Sequence, residues 1–270
     1  MTPTRDTTPS AYQDAFVNEL RARREASGLS RNKLAAALGC TPQWIAKVET
    51  FEKPPSEGLA DDLDTYYQLD GAFRRLWEKH VEARKQGLIP SAVRPLVDAE
   101  REANRINIYE PLLVTGLMQT EEYARFVFNS GTRVDKTEEL VAIRMERQRI
   151  FSKANPPWLF LLIREAVLRD IKAEFREEQC KRFLDVMSHP NVSVQVVPAE
   201  AAVFQESGFQ LLSFDQAPDV AYVDGASGFG QILTDPRDVR RLAIVFDVIR
   251  SAALSATASA NLIRTIMEDT

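Results

Sequence analysis

The chain has 270 residues, of which 44% are hydrophobic and 27% are charged, and its formal net charge is −5. These values are typical of a folded globular protein, and the length allows one large domain or two of moderate size. No apolar run approaches the ~20 residues that a membrane-spanning helix needs, and the polar N-terminus lacks the apolar segment of a signal peptide. We therefore expect a cytoplasmic protein with no membrane partner.

Residue types that bind metals or act as nucleophiles are scarce. Cys40 and Cys180 are too few and too far apart for a disulfide framework or a zinc site, and His80 and His189 lack ligand spacing. The glycine-rich stretch 225–230 follows a predicted strand without opening a helix where a phosphate loop requires one, so we interpret it as a flexible loop. We predict no metal site, no cofactor and no catalytic residue, which makes an enzyme the least favoured class of function.

The first predicted element is a helix over residues 11–26, with apolar residues at helical spacing. Gly28 follows it, and glycine commonly ends a helix. Two later segments, 57–69 and 70–86, show the same spacing and predict two more helices. Together with the segment between them, these helices predict a mainly α domain over residues 11–86.

Residues 29–55 carry the signals of a helix, a tight turn and a second helix. Ser30 is a favourable N-cap for the first of these helices, and Gly39 stands where a left-handed residue is wanted after a helix. Thr41 caps the second helix, and Pro42 follows at the first helical position, where its missing N–H costs nothing. A helix-turn-helix requires this rapid ending and restart.

This segment resembles the lambda-repressor-like, XRE-type helix-turn-helix. The resemblance implies a DNA-binding domain, in contrast to an ordinary helical hairpin without a DNA role. Two positions depart from the family pattern: Arg31 stands where glutamine is usual, and Phe51 stands where glycine is usual. The matching positions are Leu29, Ser30, Leu34, Ala35, Leu38, Gly39, Thr41, Ile45, Val48, Glu49 and Pro54.

The second helix of this motif is predicted to read DNA. Gln43 and Lys47 project from its first turns and are our candidates for contacts to base edges. Arg31 and Trp44 are expected to position the module on the DNA backbone, and Lys53 to contact a phosphate. The alternative for each is a solvated surface side chain. The candidate DNA-binding residues are Arg31, Thr41, Gln43, Trp44, Lys47 and Lys53.

The distribution of charge is compatible with a DNA partner despite the negative total. Residues 1–53 contain eight Lys and Arg against six Asp and Glu, and the remainder contains 26 against 33. DNA binding requires a local basic face, and the rest of the chain can be acidic. Because the local excess is small, we expect tight binding only from a homodimer that contacts two half-sites.

The rest of the chain predicts an α+β domain over residues 93–268, with a small central, mostly antiparallel sheet, because its strands cluster within a helix-rich order. We expect the strands at 208–214 and 220–223 to pair with the strand at 192–197 as a meander. Two further strands are predicted at 106–109 and 158–163. The predicted helices are 93–105, 121–129, 135–152, 174–187, 235–250 and 256–267.

Residues 111–124, PLLVTGLMQTEEYA, resemble the signature vPGLLQTEaYA of a C-terminal domain of unknown function, which follows an XRE-type helix-turn-helix in many actinobacterial regulators. The blocks at 144–148, 164–168 and 191–198 resemble the same domain, and Thr115 stands where the signature has proline. This resemblance implies an antitoxin-like regulator, often encoded beside a small partner protein. It implies no known ligand.

Polar side chains recur within these blocks. Arg144, Arg147 and Gln148 are three and four residues apart, so they share one helix face, and Glu165 and Glu121 are candidate partners for the arginines. One interpretation is a structural ion-pair network between helix and sheet; the other is a pocket for a small effector or a docking patch for a partner. The candidate ligand- or partner-binding residues are Gln119, Arg144, Arg147, Gln148 and Glu165.

We interpret the chain as a cytoplasmic, homodimeric transcriptional regulator that is nucleoid-associated when bound to double-stranded DNA. Its second domain is expected to sense a small-molecule effector or a protein partner and to hold the dimer together. The alternative is an antitoxin-like protein whose main act is to bind a small partner protein encoded nearby and which regulates its own operon. Co-purification of a small protein would favour this alternative.

Overall fold

The computed structural model describes residues 10–131, 134–203, 207–226 and 229–269. It divides into two compact units, the first ending at Gly87 and the second beginning at Leu88. Ser227 and Gly228, in the middle of the glycine-rich stretch, lie outside the described residues.

The first unit consists of helices, and two of them begin directly after the N-cap residues that the sequence predicts. The hydroxyl oxygen of Ser30 accepts a hydrogen bond from the Lys33 amide at 3.3 Å, and that of Thr41 accepts one from the Trp44 amide at 3.2 Å. Each bond satisfies an amide that has no partner within its helix. The helices are α1 (Ala11–Ala26), α2 (Arg31–Ala37), α3 (Pro42–Glu49), α4 (Glu57–Tyr66) and α5 (Ala72–Leu88).

One apolar core holds these five helices together. The rings of Phe16 and Phe73 meet edge to face, with centroids 5.0 Å apart. Ala35 is fully buried in the same cluster, and its small side chain allows close approach of α2 and α3. The predicted mainly α domain is therefore confirmed. Its buried core residues are Phe16, Val17, Leu20, Leu34, Ala35, Ile45, Val48, Leu59, Ala60, Leu63 and Phe73.

Two residues around α3 have left-handed backbone conformations. Gly39 has φ 67° in the turn before the helix, and Phe51 has φ 64° just after it. Glycine adopts this region without strain, whereas a residue with a side chain does not. Phe51, at the position where the XRE pattern has glycine, packs against the core and lies below the guanidinium of Arg21, 5.7 Å from its ring centroid.

The second unit is an α+β structure around a six-stranded mixed sheet, which confirms the predicted fold class. The strands have the spatial order β3-β2-β1-β4-β5-β6. Two short elements were absent from the prediction: the helix α9 and the strand β6. The helices are α6 (Arg94–Glu102), α7 (Glu121–Asn129), α8 (Thr137–Arg147), α9 (Glu165–Arg169), α10 (Ala173–Val186), α11 (Pro236–Ser251) and α12 (Ala256–Glu268). The strands are β1 (Arg105–Glu110), β2 (Trp158–Arg164), β3 (Val192–Val197), β4 (Phe209–Ser213), β5 (Val220–Val223) and β6 (Gln231–Leu233).

The predicted meander is wrong in one respect. β3 pairs in parallel with β2, at the opposite side of the sheet from β4 and β5. β1 and β2 are also parallel, whereas β1–β4, β4–β5 and β5–β6 are antiparallel. The helices between β1 and β2 and between β2 and β3 explain this, because a crossover helix returns the chain to a parallel neighbour.

Each face of the sheet carries its own apolar core. On one face, Ile108, Leu161 and Tyr222 belong to a core that also includes Ile263 of α12. On the other face, Tyr109 and Leu162 pack with Phe246 of α11. Successive residues of a strand point to opposite faces, so the register determines which polar residues at the strand ends share a face.

No single described helix is long and apolar enough to cross a membrane. Taken together, α11 and α12 are long and apolar enough to do so, but the two helices are bent by 68° relative to each other.

Candidate functional site

The outward face of α3 presents the two predicted base-reading side chains. Gln43 and Lys47 are exposed and four residues apart, so they lie on the same face of the helix. Ile45 and Val48 are fully buried on the opposite face. An exposed polar face on a short, well-capped helix is the geometry with which a helix-turn-helix enters the major groove.

Glu49, the last residue of α3, fixes this helix to both of its neighbours. Its side chain is fully buried; one carboxylate oxygen accepts from Arg24 Nε of α1 at 2.7 Å and the other from Arg31 Nε of α2 at 2.6 Å. Arg21 also donates to the Glu49 backbone carbonyl. Burial raises the pKa of Glu49, but the hydrogen bonds from Arg24 and Arg31 outweigh burial, so the pKa lies below its ordinary value. The carboxylate therefore remains charged and holds three helices in one orientation.

The remaining predicted DNA-binding residues have different environments. Arg31 is 45% exposed, but its Nε is engaged by Glu49, which leaves the rest of the guanidinium for a phosphate. Trp44 is half-buried against the core. The side chain of Thr41 caps α3. Lys53 is exposed just after the helix.

In the second unit, three of the predicted polar residues come together around the loop after β1. Gln119 is buried; it donates to the Val114 carbonyl at 2.7 Å and accepts from Arg144. Gln148 donates to the carbonyls of Gly116 and Gln119, at 3.0 and 2.8 Å. These bonds satisfy backbone groups of an irregular buried loop, so a structural role for Gln119 and Gln148 follows directly from their contacts.

Arg144 is the central cation of this region. Its guanidinium stacks over the ring of Phe128, 4.1 Å from the centroid, and its Nε is buried without a hydrogen-bond partner among the described residues. Burial and, to a smaller extent, the positive charge of Arg147 lower the pKa of Arg144 to about 9. A Cβ at Gly116 would lie 3.2 Å from this Nε, so the glycine allows the guanidinium to approach the loop closely.

Arg147 forms an ion pair that the sequence did not predict. It donates from Nε and Nη2 to both oxygens of Glu100 on α6, at 2.9 to 3.1 Å, and the Glu100 side chain is 1% exposed. Burial nevertheless raises the pKa of Glu100 above its ordinary value. The two proposed acidic partners are engaged elsewhere. Glu165 pairs with Arg169 and accepts from the Ala199 amide, and Glu121 pairs with Arg125.

A second acidic group lies at the end of the sheet, on the same face as this network. Glu110 ends β1 and Asp224 follows β5, while Gly208 precedes β4 between them. A Cβ at Gly208 would lie 2.7 Å from Asp224 Oδ2 and 3.2 Å from Glu110 Oε2. The two carboxylates therefore both approach the position that a side chain at residue 208 would occupy.

The pKa values of both carboxyls reflect this crowding. Burial raises the pKa of Glu110 well above its ordinary value, and the negative charge of Asp224 raises it further, against a hydrogen bond from Thr115. Partial desolvation of the Asp224 carboxyl outweighs the opposing effect of Arg147 and raises its pKa to about 6, although the residue as a whole is exposed. Thr115, the residue that replaces the proline of the signature, thus lowers the pKa of a half-buried acid.

The sequence analysis did not identify Glu100, Glu110 or Asp224 as site residues. A usable signal exists, because Glu110 and Asp224 each stand at the carboxyl end of a strand. Among the residues that the structure describes, no group of three or more His, Cys, Asp or Glu side chains is arranged to hold a metal ion.

Comparison with models of protein families finds two matches. Residues 93–265 match a domain of unknown function (DUF5753), and residues 15–77 match a helix-turn-helix domain. No curated protein matches the chain. The two family resemblances noted in the sequence are therefore confirmed.

Proposed function

We propose, from the premise that this chain belongs to the DUF5753 family and also carries a helix-turn-helix domain, that it is a sequence-specific transcriptional regulator. The observation that supports this most directly is the outward face of α3. Gln43 and Lys47 are exposed there, on a helix whose orientation is held by the buried carboxylate of Glu49. A reading helix has to be rigid before it contacts DNA, because any freedom that is lost on binding weakens the complex. No catalytic step is part of this proposal.

The proposed division of labour is that Gln43 and Lys47 read base edges, while Arg31 and Lys53 contact the DNA backbone. Glutamine can bond both N6 and N7 of adenine, and lysine can donate to guanine O6 or N7. Contacts to phosphates supply affinity that depends on salt and carries no sequence information.

A binding isotherm tests this proposal. Fluorescence anisotropy would compare DNA from the region upstream of the protein's own gene with random DNA, at two salt concentrations. We expect a preference of about 10³ or more for the upstream site, which is within the usual range for specific binding. Weak, equal and steeply salt-dependent binding to both DNAs would contradict sequence-specific regulation by the protein alone.

Variants separate the two kinds of contact. Gln43→Ala should relax sequence preference by about 1–3 kcal/mol, whereas Lys53→Ala should weaken binding to all sequences and reduce the salt slope by about one unit. Lys79→Ala is the matched control, because it removes the same charge from an exposed position on α5. Equal losses on specific and random DNA for Gln43→Ala would show that Gln43 does not read bases.

We propose that the active species is a homodimer. The helix-turn-helix segment has only a small excess of basic residues, and two copies that contact half-sites about 34 Å apart would double the number of contacts. Analytical ultracentrifugation of the full chain tests this, and a monomer on a single half-site would contradict it.

The second unit is proposed to hold the dimer and to sense an effector or a protein partner. Its Glu100–Arg147 pair and its two converging carboxylates concentrate charge at one end of the sheet, and buried, perturbed charges are enriched at binding sites. The antitoxin-like alternative is favoured by two large side chains on nearby loops, Leu112 and Phe229, which are 78% and 82% exposed. Co-purification of a small protein with the full chain would favour that alternative.

A further inference from the structure

The two carboxylates that approach Gly208 have no cationic partner among the described residues. Glu110 receives a hydrogen bond from Thr115, but within the described parts of the chain neither Glu110 nor Asp224 forms an ion pair. The nearby arginines are engaged elsewhere: Arg147 binds Glu100 and Arg144 donates to Gln119. Two acids with raised pKa values and no cation between them favour an external positive charge.

A third acceptor without a partner lies next to this pair. Gln210 is 4% exposed, and its Oε1 has no hydrogen-bond partner among the described residues. It follows Gly208 by two residues on the same strand, and in the register it stands between Ile108 of β1 and Tyr222 of β5. Its side chain is therefore on the same face of the sheet as the carboxylates, one step deeper. A buried amide oxygen without a donor costs free energy, which a ligand that donates a hydrogen bond would recover.

Asp224 and two large apolar side chains that are close to the carboxylates in the chain are exposed. Asp224 is exposed to solvent, so a ligand can reach it. Leu112 follows Glu110 by two residues, and Phe229 follows Asp224 by five, and both side chains are largely exposed. Large apolar side chains exposed beside polar groups are typical of binding surfaces.

We propose that Glu110, Asp224 and Gln210, which we call the acidic row, bind the primary ammonium group of a ligand with an apolar body. A primary ammonium carries one positive charge and three N–H donors and has no acceptor. The acidic row offers two carboxylates and one unpartnered amide oxygen, and Leu112 and Phe229 offer apolar contact to the rest of the ligand. The ammonium belongs either to a small amine or to a lysine side chain of a protein partner.

This inference rests on the proposed sensing role of the second unit and names the chemistry that would be sensed. Calorimetry of the full chain without DNA measures it separately from regulation. If the protein binds the ligand but shows no DNA preference, only the proposed role as a regulator is contradicted. If it shows DNA preference but does not bind the ligand, only the proposed ammonium site is contradicted.

The probes are chosen to distinguish charge, donors and source. n-Hexylammonium supplies the complete group, and n-hexyltrimethylammonium supplies the charge without an N–H donor. A capped Leu-Lys-Leu peptide presents the same ammonium between apolar side chains, as a protein partner would. We expect hexylammonium, the peptide or both to bind at least about tenfold more tightly than the trimethyl compound, because hydrogen bonds to charged groups are worth about 1.5–3 kcal/mol. Binding of the peptide alone would assign the ammonium to a protein partner.

Variants assign the binding to these residues. Glu110→Gln and Asp224→Asn should each weaken binding by about 10- to 100-fold, since each removes one charged acceptor. Gly208→Ala should also weaken it, because the added methyl group would occupy the space between the carboxylates. Asp247→Asn is the matched control on the exposed face of α11. Circular dichroism would verify that each variant is folded.

Three results would overturn the proposal. One is the absence of binding by any of the probes, and another is equal binding of hexylammonium and its trimethyl analogue. The third is binding that folded Glu110→Gln and Asp224→Asn proteins retain in full.

Discussion

Removal of the Glu49 carboxylate should destabilise α3 more than the removal of any other polar side chain of that helix. Glu49→Ala would delete the group that joins α3 to Arg24 and Arg31. The Arg24 side chain, which is 12% exposed, would keep only the Leu29 carbonyl and the exposed Glu25 carboxylate as partners. Removal of one partner of a buried ion pair costs about 3–5 kcal/mol. Because Arg31 is 45% exposed and can be rehydrated, we expect a loss near the lower limit, about 3 kcal/mol.

The assay is urea unfolding of the full chain, combined with hydrogen exchange of the α3 amides. Exchange reports the first unit separately from the second, since local opening can occur without global unfolding. Glu52→Ala is the control, because it removes an exposed carboxylate just after the same helix and should cost at most about 0.5 kcal/mol. A loss for Glu49→Ala no larger than that for Glu52→Ala would refute the assigned role of Glu49.

The pH dependence gives a second test of Glu49. Its pKa is lower in the folded protein than the ordinary value of 4.5, so the folded state binds fewer protons than the unfolded state in that range. The stabilisation is therefore present above about pH 4.5 and is lost as the pH falls through the folded-state pKa. Glu49→Gln should remove this part of the acid sensitivity, and an unchanged acid transition would contradict the ion-pair interpretation.

Three further changes test the second unit and the turn. Arg147→Ala should cost about 3–5 kcal/mol in a thermal or urea melt, because it leaves Glu100 buried without its partner; an unchanged melt would refute this. Gly39→Ala should cost about 1–2 kcal/mol although nothing lies within 4 Å of the added Cβ, because the backbone is left-handed; no loss in the same melt would contradict this. Asp224→Asn should lower the pKa of Glu110, as followed by carboxyl NMR. The pKa of Asp224 in the folded state is raised to about 6 from 3.8, so the folded state binds more protons than the unfolded state between these values. The free energy of unfolding therefore decreases as the pH rises through this range, and Asp224→Asn should make that decrease smaller.

Local chemistry explains why much of the fold was predictable from the sequence. The hydroxyl caps at Ser30 and Thr41 and the left-handed glycine at position 39 act through hydrogen bonds and steric limits within a few residues. The inward face of α3 follows from a spacing of three residues between Ile45 and Val48. These signals need no knowledge of the rest of the chain.

The pairing of β3 was missed because it does not depend on local signals alone. β3 has the alternation of a strand, but alternation does not identify its neighbour in the sheet. That neighbour is set by the crossover through α9 and α10, which returns the chain parallel to β2. The order of strand, helix and strand was present in the sequence, and it would have predicted parallel pairing.

The sequence by itself determined the helix-turn-helix, the class of the second domain and the polar side chains that face away from α3. The tertiary structure decided which charges meet. Glu49 joins arginines that are 25 and 18 residues earlier in the chain, and Glu110 meets Asp224 only because β1, β4 and β5 align their ends around Gly208. Contacts of this kind depend on how whole helices and strands pack together. The free energy of that packing comes from the many residues of the core, so the residues that form the contact do not reveal it.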